Sequence, residues 1–536
     1  MEYPSFAPIF TDHAVLQQEK PIKLWGSLPK SDAASPKYDS LQAVLTDLRG
    51  NPMANAACTK DSDHGFFAFL SAREKGGPFI LLLKNEDQVF QRLEDIMIGE
   101  VWLAGGQSNM EYELQNDKDA KDIVPAPNVR FYQVLRQAFF DDDFYEKERN
   151  NSWMTNHDPN FGSWSAVGYH FAAELAEKLD CTVGIIGCNW GGTSASAWQS
   201  KNSLLSHPET APYWDEYQKT LDAQTPEEYE KSRADYLAYQ ESWQPKINEF
   251  YAANPSGTWE EALSYAGPCL WPGPMGPKHE FRPAGLYETM LRRITPYPLR
   301  GVLYYQGESD DHRPHSYKIL LSSLISQWRR DFEDDTLPFL LVQLPMHRYL
   351  GDAPSDSFAV IRKAQEQVWR EDAHVGLAVA IDLGEYNNIH PTHKKEIGHR
   401  LFLQSMSIVY HILSPRESTC PMLSHAKYFD RDSVVRLFFD NLIGGFDLDK
   451  YQETLSLPAD DGVNYKRFFE ICDAKGTVFP ADISFPDLKT IQLTVPRQAS
   501  FPIEIRYLWI NYSLVPLFDK RGLPLAPFCT KPLPNS

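Results

Sequence analysis

Residues 98–110 read Ile-Gly-Glu-Val-Trp-Leu-Ala-Gly-Gly-Gln-Ser-Asn-Met: an unbroken apolar run, Val101 to Ala104, that stops at two glycines and a polar Gln107-Ser108-Asn109 turn. A strand with one face in water alternates apolar and polar residues, whereas a continuous apolar strand needs cover on both faces, as in a parallel sheet sandwiched by helices. The same texture returns at FAAELAEKLDCTVGIIGCNWGG (171–192), PLRGVLYYQGESD (298–310), PFLLVQL (338–344) and VGLAVAIDLGE (375–385). Buried strands that end in glycine or polar turns and lead into helical segments predict an α/β domain with a parallel sheet.

Outward from this region the texture changes. Up to about residue 95, short alternating runs broken by turn residues, such as AVLQQEKPIKLWG and GGPFILLL, predict an antiparallel β module. The α/β domain is expected over 96–415, interrupted at about 200–285 by a polar, aromatic-rich helical stretch (225–251) and a Gly/Pro-dense loop, GPCLWPGPMGPK (267–278). Short strands return in SVVRLFFD, TIQLTVP and IEIRYLWINY, which predict a second β module over 416–536.

The chain has 536 residues, with 42% hydrophobic and 13% aromatic content, as expected of a folded protein with a sizeable core. A formal charge of −20 repels phosphate backbones and anionic membrane surfaces, so neither nucleic acid nor membrane is an expected partner. The seven cysteines form no CxxC pair and are odd in number, and the N-terminal segment has no basic region ahead of an apolar core. A cytoplasmic location is the expectation, and a homo-oligomer is compatible with it.

Chemistry concentrates at the strand ends. Ser108 follows a buried strand on a tight turn, where open α/β sheets present nucleophiles and ligands, although Ser is also a common helix N-cap. The GxSxG elbow is absent, since Met110 stands where its last glycine would be. Gly191 and Gly192 free backbone N–H groups at another strand end, and Gln306 offers an amide at a third; such donors stabilise a tetrahedral oxyanion. His390 follows a late strand and supplies the base that an unactivated hydroxyl needs, with His393 as the competing candidate. No paired segments of metal-ligand spacing occur, so neither a metal nor another cofactor is expected; DDHRPH (310–315) reads as a solvated turn.

Four blocks, GQSNM (106–110), WGGT (190–193), QGES (306–309) and IHP (389–391), occur in the order found in the sialate O-acetylesterase family of SGNH-type hydrolases, which the chain resembles over nearly its full length. The resemblance implies an SGNH-hydrolase-like three-layer α/β/α domain with flanking N- and C-terminal β modules. It also implies a serine carbohydrate O-acetylesterase that works through an acetyl-Ser108 intermediate. Carried over position by position, it makes Ser108 the nucleophile, His390 the base and Gly191, Gly192 and Gln306 the oxyanion donors. Gln107, Asn109, Trp190 and Glu308 from the same strand ends, and Arg348 after the PFLLVQL strand, are the expected substrate-binding residues for an acetylated carbohydrate. Two positions depart from the pattern. Asn388 stands where related sequences carry an Asp two residues before the His, and the DxxH spacing meets Asn387, so the orienting group is Asp382, Glu385 or a backbone carbonyl. Asp310 stands where many relatives have an Asn donor, and a carboxylate cannot donate when ionised. For the sugar, Arg348 would meet a sialate carboxylate, while Trp190, Trp271 and Tyr386 would wall a neutral sugar such as acetylated xylan. A catalytically weak glycan-binding protein is the alternative of another class.

Overall fold

In the computed structural model the Ser108 segment leaves the end of a single 18-residue strand, Val89–Gly106 (β1). The residues described are 3–29, 35–61, 65–86, 88–255, 257–459 and 462–533. Contacts divide the chain into one unit of Met1–Leu135, Tyr145–Ala195 and Ile294–Ser536 and a second of Arg136–Phe144 and Ser196–Arg293.

In the first unit, β1 is followed by five further strands parallel to its second half: Val129–Gln133 (β2), Val183–Asn189 (β3), Gly301–Tyr305 (β4), Phe339–Gln343 (β5) and Val375–Val379 (β6). Their order is β2-β3-β1-β4-β5-β6. The chain builds β2 and β3 on one side of β1 and then crosses to β4 on the other. This puts the switch point, where a parallel sheet opens a crevice at its carboxyl edge, at the end of β1.

Ser108–Glu111 (α1) starts there, and four longer helices cover the sheet: Ala166–Leu179 (α2), Tyr317–Asp331 (α3), Ser357–Glu371 (α4) and Lys394–Ile408 (α5). Trp102 of β1 meets Phe171 of α2 edge-on at 4.9 Å. A Cβ placed on Gly105 would lie 3.0 Å from Trp328 of α3. Positions 102 and 105 are an odd number apart, so α2, which packs with α5, and α3, which packs with α4, lie on opposite faces. This double cover explains the continuous apolar runs.

The first half of β1 pairs antiparallel with Gly76–Lys84, which continues to Gln42–Thr46 and Pro52–Ala57, while Met97–Gly99 pairs parallel with Val15–Gln17. The large sheet is therefore mixed. The module boundary expected near residue 95 falls inside an unbroken strand, because β1 carries its hydrogen bonds from the antiparallel into the parallel ladder. A separate four-stranded antiparallel sheet uses Ser5–Phe6, Ile22–Ser27, Gly65–Leu70 and Thr59–Lys60. After α5 come two four-stranded antiparallel sheets, one around Val434–Asp440 and one around Glu504–Tyr507. Arg362 of α4 is fully buried and donates to the carbonyls of Pro345 (3.3 Å), Leu508 (3.5 Å) and Ile510, which ties the C-terminal segment to the helical layer. Burial lowers its pKa to about 9.

In the second unit, Thr225 closes a capping box on the 28-residue helix Pro226–Ala253, and Trp243, Ile247, Ala262 and Ala266 form a small core with the helix Trp259–Ala266. Trp271 belongs to this unit and stands 58% exposed, edge-on to Phe281 at 5.5 Å. All seven cysteines are free thiols. Among the described residues no helix is long and apolar enough to cross a membrane.

One ion pair, buried at its carboxylate end, fastens β1 to the start of β4. Glu100 is fully buried and meets Arg300, at the start of β4, through Nε at 2.6 Å and Nη2 at 2.9 Å. Tyr410 (2.9 Å) and Gln18 (2.5 Å) donate to the same carboxylate. Removing one partner of such a pair leaves the other charge buried. Arg300→Leu is expected to cost about 3 kcal/mol in urea unfolding, at the low end for such pairs because Gln18 and Tyr410 remain. Adding Glu100→Leu should recover most of that loss; a double variant as unstable as the single would contradict the account.

Candidate active site

Gly106 ends β1 at φ +136°, and a Cβ there would lie 2.0 Å from the Tyr305 carbonyl of β4, so only glycine fits. The Gln107 N–H donates to that carbonyl at 3.1 Å. Ser108, half-buried, is then the first residue of the four-residue helix α1. Gln107 itself is buried, and its side-chain oxygen accepts the Ser309 N–H at 3.1 Å, which joins the serine turn to the turn after β4. This contact makes it a support, whereas the sequence pointed to a substrate ligand.

The next residue is the hub. Asn109 is fully buried; its Nδ2 donates to the Ile389 carbonyl at 2.9 Å and to Glu308 Oε1 at 2.6 Å, and its Oδ1 accepts from Lys394 Nζ at 2.5 Å. Ser108 and His390 each adjoin one end of the Asn109–Ile389 hydrogen bond, so the two are brought to one junction. Asn109 and Glu308 lie beneath that junction, not on its surface. Burial, opposed by the hydrogen bond from Asn109, raises the pKa of Glu308.

The third turn, Trp190-Gly191-Gly192, follows β3. A Cβ on Gly191 would lie 3.2 Å from the Ser108 Cβ, so the turn rests directly on the serine. Its anchors are carboxylates: Glu111 Oε2 accepts the Gly191 N–H at 2.5 Å, while Asp310 accepts from Ser194 Oγ (2.6 Å), the Ala195 N–H (2.9 Å) and Gln306 Nε2 (2.6 Å). Gln306 Nε2 also meets the Thr193 carbonyl at 3.3 Å. These bonds change the expected donor set, because the Gly191 N–H and the Gln306 amide are already engaged. Among the described residues the N–H groups of Ser108 and Gly192 have no hydrogen-bond acceptor; the first is a helix N-terminal orphan and the second is turned out by φ +75°. Asp310, an apparent misfit in the sequence, anchors the glycine turn.

His390 lies on the loop after β6 and is half-buried. Burial, then the charges of Lys394 and His347, lower its pKa to about 4. No carboxylate among the described residues is hydrogen-bonded to its ring. Asp382, the expected orienting acid, instead forms a bidentate pair with Arg400 at 2.6 and 2.8 Å; the guanidinium occupies both of its oxygens. Glu385 clasps the loop: it accepts from the Thr392 N–H (2.7 Å), Thr392 Oγ1 (2.9 Å) and Asn388 Nδ2 (2.7 Å). Asn388 Oδ1 accepts the His390 N–H at 3.0 Å, so the amide in place of the family's Asp shapes the loop backbone. His393, the competing base, contacts Lys118 Nζ at 2.6 Å through Nδ1.

Beside this loop opens a cavity of about 740 Å³ lined by Arg348, Asp352, Tyr386 and Tyr465 among others. The Arg348 guanidinium lies 5.7 Å from the Tyr386 ring centre and 5.1 Å from that of Tyr465, and its carbonyl accepts the Asn387 N–H at 2.9 Å. Trp190, half-buried, holds its turn through its own backbone, with N–H to Gly106 and carbonyl from Thr193 Oγ1. The sequence reading missed Glu111 and gave Lys394 no role. Both are ordinary helix residues by pattern, and only the Glu111 contact with the Gly191 N–H and the burial of Lys394 on Asn109 mark them.

A family model described as a carbohydrate esterase, sialic acid-specific acetylesterase, matches residues 276–407, the segment that runs from before β4 through α5. The sialate O-acetylesterase of Mus musculus is 26% identical over 446 residues, covering 76% of this chain and 73% of its own. That of Homo sapiens is 22% identical, covering 98% of this chain and 92% of its own. A solved structure of a carbohydrate acetylesterase from Xanthomonas citri superposes with a TM-score of 0.70 at 24% identity, over 98% of this chain and 99% of that one. The strand-end architecture and these matches agree with the four sequence blocks: the chain is similar to sialate O-acetylesterases and is a carboxylic ester hydrolase.

Proposed function

We propose that the chain is an SGNH-type serine esterase that removes O-acetyl groups from sugars, with Ser108 as nucleophile and His390 as base. The observation that carries this reading is the Asn109 Nδ2 to Ile389 carbonyl hydrogen bond, which joins the serine turn to the histidine loop. His390 takes the Ser108 hydroxyl proton as the serine oxygen adds to the acetyl carbonyl. The oxyanion is received by the N–H groups of Ser108 and Gly192, and the imidazolium then protonates the departing sugar oxygen, leaving acetyl-Ser108. Water, deprotonated by His390, releases acetate in the second half. With both nearby acids engaged elsewhere, His390 acts in a dyad whose geometry comes from the Glu385-clasped loop.

For the sugar, the cavity that holds Arg348 between two tyrosine rings supports an acidic, sialate-type substrate, with Asp352 giving the rim mixed charge. Neutral acetylated xylan is the alternative, and the partner in either case is a carbohydrate. Arg348→Leu is expected to lower kcat/KM on acetylated sialosides by about tenfold or more while sparing p-nitrophenyl acetate, since a charged hydrogen bond contributes about 1.5–3 kcal/mol. Equal loss on acetylated xylo-oligosaccharides would point to the neutral substrate.

Ser108→Ala should abolish acetate release and leave the thermal midpoint nearly unchanged, because the hydroxyl is half-buried and only the acyl-enzyme route is lost. More than a tenth of the wild-type rate would remove Ser108 from the mechanism.

The base must be neutral to accept a proton, so kcat/KM rises with pH through the His390 pKa. The ascending limb is expected near pH 4, well below the imidazole reference of about 6.5, because burial and neighbouring cations disfavour the charged ring. Asp382→Asn should leave the limb in place and lower stability through the orphaned Arg400. A limb above 6.5 that drops in this variant would restore Asp382 as the ionised partner.

A further inference from the structure

Lys394 is the first residue of α5 and is fully buried, yet its ammonium is hydrogen-bonded to an amide and, among the described residues, to no carboxylate. Its Nζ donates to Asn109 Oδ1 at 2.5 Å and lies 4.6 Å from the Tyr112 ring centre and 5.5 Å from that of Tyr305. A buried lysine is expensive unless something needs the charge or the donors. We infer that Lys394 is a positioning residue: through Asn109 it holds the Ser108 turn and the His390 loop in register for proton transfer. The inference rests on the serine esterase reading and deepens it.

The argument is one of donors and acceptors. An amide can turn over at little steric cost, and of the three groups around Asn109 one, Glu308, leaves its orientation open. Glu308 would accept from Nδ2 when ionised and donate to Oδ1 when protonated, and burial favours the protonated form. The Ile389 carbonyl only accepts and so favours Nδ2, but it is a single neutral partner. As an ammonium Lys394 has three donors and no acceptor, so in that form it can face only Oδ1. With the oxygen fixed on α5, Nδ2 must point to Ile389 and Glu308, and the residue after Ile389 is the base.

The charge acts on the base as well. Glu308 from the turn after β4, Glu385 from the loop after β6 and Asp117 beyond α1 favour the ammonium form. Burial works against it and prevails, setting the Lys394 pKa at about 7. His390, on the same loop, has its pKa lowered in turn by the Lys394 charge. A lysine that merely filled space would not couple to the ionisation of the base.

The test uses the full-length chain and p-nitrophenyl acetate, with kcat/KM followed over about pH 3.5 to 9. Lys394→Met is expected to lower kcat/KM about 10²-fold, mostly in kcat, as displacement of reacting groups does. Its ascending limb should move up by roughly one pH unit as a depressing cation is lost. Lys394→Arg should keep the limb low. Asn109→Ala should match the loss in kcat with a smaller shift of the limb, since the charge remains. A Lys394→Met enzyme with near-wild-type kcat/KM, or with a uniform loss and an unmoved limb, would overturn the inference. If that variant does not fold, Asn109→Ala decides, and wild-type kcat there is equally fatal. A wild-type chain inert toward the ester would defeat the esterase reading itself, whereas an active wild type beside an indifferent Lys394→Met defeats only the positioning role.

Discussion

The site depends on a single side-chain amide. Asn109 is the place where the turn after β1, the turn after β4, the loop after β6 and the start of α5 are hydrogen-bonded to one another. A parallel sheet delivers strand ends to a common edge but does nothing to hold the segments beyond them, because the ladder stops where the strands stop. Something with donors and an acceptor in one rigid plane has to take over, and a primary amide provides both. Gln107 repeats the device one residue earlier, with its oxygen on the Ser309 N–H. The proposed nucleophile thus sits between two buried amides that fasten its turn to the neighbouring strand ends.

The glycine turn after β3 is fastened differently, by carboxylates. Glu111 holds it near the serine and Asp310 holds it further on. Anions so close to a site where an oxyanion forms carry an electrostatic cost, and the arrangement moderates it in two ways. Each carboxylate accepts hydrogen bonds directly from the turn, which spreads its charge into donors it orients. The Lys394 ammonium, when present, supplies a counter-charge behind the serine turn. The same balance bears on His390: without a paired acid and beside cations, the ring is a weak base held neutral over most of the pH range. A neutral base is always ready to accept, at the cost of a smaller driving force for the proton.

Two buried cations and one partly buried show how differently a positive charge can be housed in one unit. Arg300 meets a carboxylate and keeps its charge strongly; its pKa is raised by Glu100 although burial alone would lower it. Arg362 meets only carbonyl oxygens, and its pKa falls. Lys394 has an amide and two aromatic faces, with carboxylates at longer range, and its pKa falls furthest into the physiological range. The first arrangement serves stability, the second fastens the C-terminal segment, and the third leaves a group whose charge responds to its surroundings.

Much of the architecture was legible in residue pattern. Continuous apolar runs such as Val101–Ala104 and Gly301–Tyr305 required cover on both faces, and the helices α2 to α5 provide it. Strand-end glycines and polar turns marked the edge where Ser108, Gly191, Gln306 and His390 gather, because only short side chains and free backbone fit a tight turn at a buried strand. The boundary near residue 95 was not legible, since one strand serves two ladders and pairing is not written in a single strand's composition. Nor were the partners of the polar groups. Asp382 and Glu385 look alike as candidate acids in sequence, yet Arg400, a full helical segment away, claims one, and Thr392 claims the other. Gln306 looks like a free donor until Asp310 is seen to occupy it. Sequence by itself determined which residue types stand at which strand ends, because burial and turn geometry restrict composition locally. Which donor meets which acceptor was decided only by tertiary structure, because hydrogen bonds depend on distances of about 3 Å that the fold sets, whether the partners are 4 residues apart, as Gln306 and Asp310 are, or 285 apart, as Asn109 and Lys394 are.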